Sequence, residues 1–314
     1  MNNFEFVRIC KKKTIGNIYS IYYLIKSNVK IVLYFHENQI TYPWSDNDPD
    51  IKLKRDQHYG FINYTSALTA DEIIFNSKFH LNSFFHGLRI FLNQYPDYNE
   101  MHNIDKIQLK SSVLHLGLNL KKFDDFNKID EKSKQPLILW NHRWEYDKNP
   151  ELFFKVLKII SNKNIDFKLI IIGQDFKKQN PTFNNAKNDL KKHIIQFGHV
   201  ESFSEYAKWL WKAHIVPITS NQENFGISVM EAIYCNTTPL LPEKLSYPEL
   251  FNNEKNYNYF YDTTDQLICK LEKLIIEFNH EKDNDLREIA TKYDWRKMVI
   301  KYDKKFESLM NTKM

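Results

Sequence analysis

Two carboxylates, Glu223 and Glu231, flank the start of a helix-forming run in Asn221-Gln222-Glu223-Asn224-Phe225-Gly226-Ile227-Ser228. Backbone N–H groups left open at a helix start suit an anion such as a phosphate. In an open α/β sheet, ligands collect beyond the carboxyl ends of the strands. Gly226 removes a side chain where a phosphate has to approach the backbone, and Ser228 adds a hydroxyl donor. Glu231 falls about one and a half turns into the helix, within reach of a ribose whose two hydroxyls donate to a carboxylate, while Glu223 reaches a sugar. Either glutamate alone is read more simply as a helix cap or a solvated helix-face acid.

A second string, Trp140-Asn141-His142-Arg143-Trp144-Glu145-Tyr146-Asp147-Lys148-Asn149-Pro150, follows an apolar run with strand character. Arg143 and Lys148 leave the same strand-to-helix loop. A diphosphate leaving group gains charge as its glycosidic bond breaks, so two cations aimed at it stabilise the transition state more than the ground state. Arginine offers a planar fork and lysine a point charge. An isolated pair of this kind is otherwise an ordinary pair of surface cations.

These residues need strand ends and helix starts to hold them. From Lys30 onward, short β-branched runs alternate with longer helical patterns, which predicts an α/β fold with parallel sheets covered by helices on both faces. Expected in the first half are a strand at 31–35, a helix over about 55–70, a strand at 72–75, an amphipathic helix over 77–94 and a strand at 111–115. The charged, aperiodic stretch from Gly117 to Pro136 is the candidate linker. Strands at 137–140, 167–172, 194–197, 215–218 and 238–241, with helices near 149–162, 181–192, 203–212 and 226–235, then make one doubly wound unit. The expected division is residues 1–135, residues 136–292, and a helix headed by Trp295 within 293–314 that packs over the domain joint.

The 314 residues suit two domains sharing a cleft, and 42% hydrophobic and 15% aromatic residues suit a folded chain. A net charge of +5 permits a polyanionic partner without being a nucleic-acid footprint. The excess of lysine and asparagine fits the drift of an AT-rich genome. Cys10, Cys235 and Cys269 are odd in number and widely spaced, so neither a disulfide framework nor a zinc site is expected, and a reducing, cytoplasmic setting follows. Ile18 to Ile25 is too short and interrupted for a membrane span and lacks a cleavage site, so no span or signal peptide is expected.

Arg143 and Lys148 after the domain's first strand, with Glu223 and Glu231 bracketing Phe225-Gly226, together resemble the retaining glycosyltransferases of the GT-B fold, which have two facing Rossmann-like domains and need no metal. The resemblance implies that Arg143 and Lys148 hold the donor diphosphate. It also implies that Glu223 and the backbone of Asn224, Phe225, Gly226 and Ile227 hold the donor sugar, and that Glu231 binds the ribose. One departure lies after the second glutamate. Where the pattern has Gly before a Pro, this chain has Cys235-Asn236-Thr237-Thr238-Pro239, and Asn is the residue that best replaces Gly in a left-handed turn.

His36-Glu37-Asn38-Gln39, Arg55-Asp56-Gln57-His58-Tyr59-Gly60, Phe75-Asn76-Ser77, the Trp140 string and Tyr247-Pro248-Glu249 are similar to one branch of that family, the tRNA-queuosine mannosyltransferases. The resemblance spans about residues 31 to 310. It implies GDP-mannose as donor and queuosine in the anticodon loop of an aspartate tRNA as acceptor. His36, at a strand end facing the cleft, then lies beside the reacting sugar in a polar or acid-base role, with a structural histidine as the alternative. Lys52, Lys54, Arg55 and Lys78 are candidates for phosphate contacts, and His58 and Tyr59 for stacking on an unpaired base.

The family's usual first strand and Gly-rich turn are not evident before Lys30, where only Gly16 stands in a lysine-rich stretch. An abbreviated N-terminal domain is expected, either naturally small or starting downstream of the ancestral start, and in the latter case the donor site persists while catalysis is impaired. Two other functions stay open: a transferase of the same fold acting on a lipid or surface glycan, with the 77–94 helix as its membrane-docking element, and a non-catalytic nucleotide-sugar or RNA-binding remnant.

Overall fold

The computed structural model describes residues 6–7, 30–44, 49–53, 56–127, 133–173, 181–252, 256–278 and 284–311. The expectations placed on Cys10, Gly16, Ile18 to Ile25, Lys54 and Arg55 fall outside them. The chain divides into two compact units, Met1–His115 and Leu116–Met314.

In the first unit, β1 (Phe6–Val7), β2 (Val32–Phe35), β3 (Glu72–Phe75) and β4 (Ser111–Val113) form a parallel sheet in the order β1-β2-β3-β4. Strands β2 and β3 are almost wholly apolar because a parallel strand is covered on both faces. The Lys78–Asn93 helix is capped by the Ser77 hydroxyl, which accepts from the His80 amide at 3.0 Å. It buries Phe84, Phe85, Leu88, Phe91 and Leu92, one face at helical spacing, against Leu33, Phe35, Ile73 and Phe75 of the sheet. That apolar face is therefore used in the unit's own core, which removes the membrane-docking role allowed to it above.

The second unit has six parallel strands: β5 (Leu137–Trp140), β6 (Lys168–Ile172), β7 (Ile194–Gly198), β8 (Ile215–Pro217), β9 (Thr238–Pro242) and β10 (Phe260–Tyr261). Their order is β10-β9-β8-β5-β6-β7. Counted from β5 this is the doubly wound order 3-2-1-4-5-6, which reverses direction between β5 and β8. The period of two along a strand shows in the packing. Leu137 and Leu139 enter one core with Trp211, Val229 and Ile233, whereas Ile138 and Trp140 enter the opposite core with Phe153, Leu157 and Leu271.

The stretch expected to be a linker is in part a packed element. Residues Lys121–Phe126 form a 3-10 helix, and the Phe123 ring is fully buried at 4.9 Å from Phe203, edge to face. Trp211 Nε1 donates to the Phe123 carbonyl at 2.8 Å, and Leu118 bridges to Asp294. The segment lacks helical periodicity because a 3-10 turn wrapped on a core has none to show. Strands β1 and β10, two residues each, were also not expected, nor were the helices at Asn103–Leu109, Thr264–Ile276 and Asn284–Thr291.

Candidate active site

The loop leaving β5 and the loop leaving β8 meet at the point where the strand order reverses. The Asp147 carbonyl accepts the amides of Asn221 at 2.8 Å and Gln222 at 3.3 Å, and the Thr219 hydroxyl donates to the carbonyls of Lys148 (2.9 Å) and Asn149 (3.0 Å). Asn149 takes the left-handed conformation at φ 51° and ends the loop. Its side-chain oxygen accepts from Leu152 N at 3.2 Å, and Pro150 opens the next helix where its missing N–H costs nothing.

Lys148 is the charged centre of this junction. It is only 8% exposed, and its Nζ lies 3.1 Å from Glu223 Oε2, 3.2 Å from Asp147 Oδ2 and 3.1 Å from the Gln222 carbonyl. Burial alone would lower the ammonium's pKa, but Glu223 and Asp147 outweigh it and the net shift is upward. Burial likewise pushes Glu223 up, and Lys148 more than reverses it, holding the carboxyl below its usual range. Both groups are therefore charged at neutral pH, in fixed positions.

The Ile227–Tyr234 helix starts beside this pair. Its N-cap is Gly226 at φ 87° and ψ 53°, with no capping side chain, so the first amides of the helix lack an intrahelical partner. A Cβ on Gly226 would stand 3.2 Å from Tyr247 Cε1 and 3.6 Å from Glu223 Cγ. Gly226→Ala is expected to destabilise the second unit by about 1–2 kcal/mol through its left-handed backbone and to weaken nucleotide-sugar binding. Thermal denaturation and donor KM check the two effects separately. Further along, Asn236 takes φ 60°, the turn that Gly occupies in the resembling family.

Two residues behind the helix start were not singled out from the sequence. His142 Nδ1 shares a 2.9 Å hydrogen bond with the Ser228 hydroxyl, and Asn141 Nδ2 donates to the Ser228 carbonyl at 2.8 Å. The His142 carbonyl crosses the backbone at Gly173, φ 156°, where any Cβ would fall 2.1 Å from it. Burial, aided by the Lys148 charge, lowers the His142 pKa to about 4. The folded second unit thus refuses a proton that the unfolded chain accepts near 6.5. Stability is expected to fall as pH drops from about 6.5 toward 4, by about 3 kcal/mol in all from this residue. Burial raises the Glu231 pKa, which acts in the opposite sense, so the informative quantity is a difference. Urea unfolding at pH 7 and pH 5, followed by tryptophan fluorescence, should show a larger stability loss in wild type than in His142→Gln. Equal losses would remove His142 as the cause.

Glu231 receives a hydrogen bond at 2.8 Å from the hydroxyl of Tyr206, and Asn141 Nδ2 donates to that same hydroxyl at 3.3 Å. Asn141 therefore ties the Ser228 backbone to the Tyr206–Glu231 pair.

Comparison with known proteins gives the family. The tRNA-queuosine alpha-mannosyltransferase N-terminal family matches residues 15–118, and the glycosyl transferases group 1 family matches residues 121–293. A Drosophila melanogaster tRNA-queuosine alpha-mannosyltransferase is 33% identical over 283 residues, 86% of this chain and 72% of its own. The chain belongs to the tRNA-queuosine alpha-mannosyltransferase family. It is a glycosyltransferase. Its fold is the GT-B fold of solved structures such as the sucrose-phosphate synthase of Thermosynechococcus elongatus, with TM-score 0.69, 14% identity, and coverage of 92% of this chain and 70% of that one. The Anabaena protein HepE, solved with UDP and glucose, gives TM-score 0.65 at 13% identity, covering 92% and 74%.

Within this family member, Lys148, Glu223, the 224–228 backbone and Glu231 all lie along the junction of the β5 and β8 loops and the helix that follows. Arg143 is on the same loop, its side chain about half exposed and its Nη2 3.3 Å from Glu145 Oε2. His36 belongs to the first unit and is exposed just past the end of β2. Its ring centroid is 4.9 Å from that of Tyr34, and its carbonyl accepts from Asn76 Nδ2 at 3.0 Å. Asn76 Oδ1 in turn meets Nδ1 of the buried His80 at 2.8 Å. Lys52, His58 and Lys78 are exposed, and Tyr59 is partly buried with its ring 6.2 Å from Trp44. Among the described residues no group of three or more His, Cys, Asp or Glu is placed to hold a metal ion, and no helix is long and apolar enough to cross a membrane.

Proposed function

We propose that this glycosyltransferase moves mannose from GDP-mannose to a hydroxyl of queuosine in the anticodon loop of tRNA-Asp, with retention at the anomeric carbon, in the cytoplasm. The observation that carries the donor half is the buried Lys148–Glu223 pair beside an uncapped helix start at the strand-order reversal. Kinship with the tRNA-queuosine enzymes supports the acceptor half.

In this reading Lys148, Arg143 and the first amides of the Ile227–Tyr234 helix take the diphosphate, whose charge grows as the bond to mannose breaks. Glu223, with Lys148 fixing one of its oxygens, takes the sugar hydroxyls together with the backbone of Asn224 to Ile227, and Glu231 takes the ribose. His36 provides a polar contact beside the reacting sugar. The acceptor hydroxyl attacks from the face that the diphosphate leaves, and a leaving phosphate oxygen accepts its proton, so neither an enzymic base nor a metal is used. Exposed Lys52 and Lys78 contact tRNA phosphates, and His58 stacks on an anticodon-loop base.

Incubation with GDP-mannose and tRNA, followed by mass spectrometry of the nucleosides, is expected to show one hexose added to queuosine and none on tRNA lacking it. Addition to a lipid acceptor instead, or GDP binding without any transfer, would overturn this reading.

A further inference from the structure

Tyr206 lies on the Phe203–Lys212 helix, which is capped by Ser202 and anchored by buried Ala207, Leu210 and Trp211. Its hydroxyl has one hydrogen, and an ionised carboxylate only accepts. The bond to Glu231 Oε2 at 2.8 Å therefore runs from tyrosine to glutamate, leaving the tyrosine oxygen to accept from Asn141 Nδ2 at 3.3 Å. Among the described residues Tyr206 is the only hydrogen-bond partner of the Glu231 carboxylate. One carboxylate oxygen is thus fixed and the other keeps its acceptor capacity, in a site whose burial already disfavours bare charge. Two adjacent hydroxyls on one ligand are the donors that such a carboxylate fits. The ring itself packs by Phe123 and Phe203, with centroids at 6.1 and 6.4 Å, contacts that phenylalanine would keep.

We propose that Tyr206 is a positioning residue that presents Glu231 to the vicinal diol of the donor nucleotide and so sets selectivity for a ribose bearing both hydroxyls. The proposal rests on the donor-site reading above and adds to it the residue that orients the carboxylate.

The test is calorimetric titration of the full chain with GDP and with 2′,3′-dideoxy-GDP, for wild type, Tyr206→Phe, Glu231→Gln and the double variant. Wild type is expected to prefer GDP by about 30-fold. Tyr206→Phe should weaken GDP about tenfold while leaving the dideoxy nucleotide within about twofold, and should add nothing in the Glu231→Gln background. Equal weakening of both nucleotides, or a loss that persists in the Glu231→Gln background, would show that Tyr206 acts through packing and overturn the proposal. A wild type that binds GDP without preference would instead remove Glu231 as the diol ligand, and the proposal with it. Retained hexose transfer in that case would separate this failure from failure of the proposed function.

Discussion

Glu223→Ala is expected to lower kcat/KM for mannose transfer by at least about 100-fold while the protein stays folded. The carboxylate stands between the Lys148 ammonium and the helix start, and its second oxygen accepts the Phe225 amide at 3.4 Å. Its removal takes away the group assigned to the donor sugar. Lys148 keeps Asp147 and the Gln222 carbonyl, so no buried charge is stranded and the stability loss should stay near 1–2 kcal/mol. Steady-state kinetics with thermal denaturation of the same preparation check both halves. Activity within a few-fold of wild type would sink the site assignment.

Lys148→Ala is expected to be the most damaging single change, about 1000-fold in kcat/KM, with a stability loss of about 3–5 kcal/mol in the second unit. The two losses have different causes. The rate falls because a preorganised cation no longer meets the departing diphosphate. Stability falls because Asp147, 1% exposed, and Glu223 lose the charge they share. The pH dependence has a definite sign. In wild type Lys148 keeps Glu223 ionised below the usual carboxylate range, so the pair's contribution is complete at neutral pH and is lost as pH falls through that depressed pKa. In the variant Glu223 takes up a proton more readily, and the stability gap between variant and wild type should narrow as pH is lowered. Urea unfolding at neutral and acid pH measures this. A gap that stays constant would mean that the pair is not electrostatically coupled. Lys148→Arg should not restore the rate, because a forked guanidinium does not fit a slot shaped for one ammonium between two carboxylates and a carbonyl.

The parts of this enzyme legible in its sequence are those whose signal is local. Strand β5 stands at the expected 137–140, because a strand buried on both faces reads as an unbroken apolar run between polar loops. The 203–212 helix begins at Ser202, whose hydroxyl accepts from Glu205 N at 3.1 Å, a cap visible as a residue type. Lys148 and Glu223 could be proposed because each sits at a strand-to-helix passage. What escaped depends on distant partners. Nothing marks Tyr206 among 18 tyrosines until the fold brings Glu231 to it, and His142 is a loop histidine until Ser228 arrives from 86 positions away. Asp147, beside Lys148, carries no mark in the sequence because its burial is set by the β8 loop. The packed part of the Gly117 to Pro136 stretch escapes for the same reason: its order comes from Phe203, Trp211 and Asp294, not from its own pattern.

If the Lys148–Glu223 junction binds GDP-mannose and the chain delivers the sugar to queuosine, donor cleavage and acceptor modification are coupled. The most direct measurement is release of GDP from GDP-mannose by the purified protein, with tRNA from cells that make queuosine and with tRNA from cells that do not. GDP release matched one for one by hexose is expected with the queuosine-containing tRNA, and background release with the other. Equal release with both tRNAs, or none with either, would contradict it.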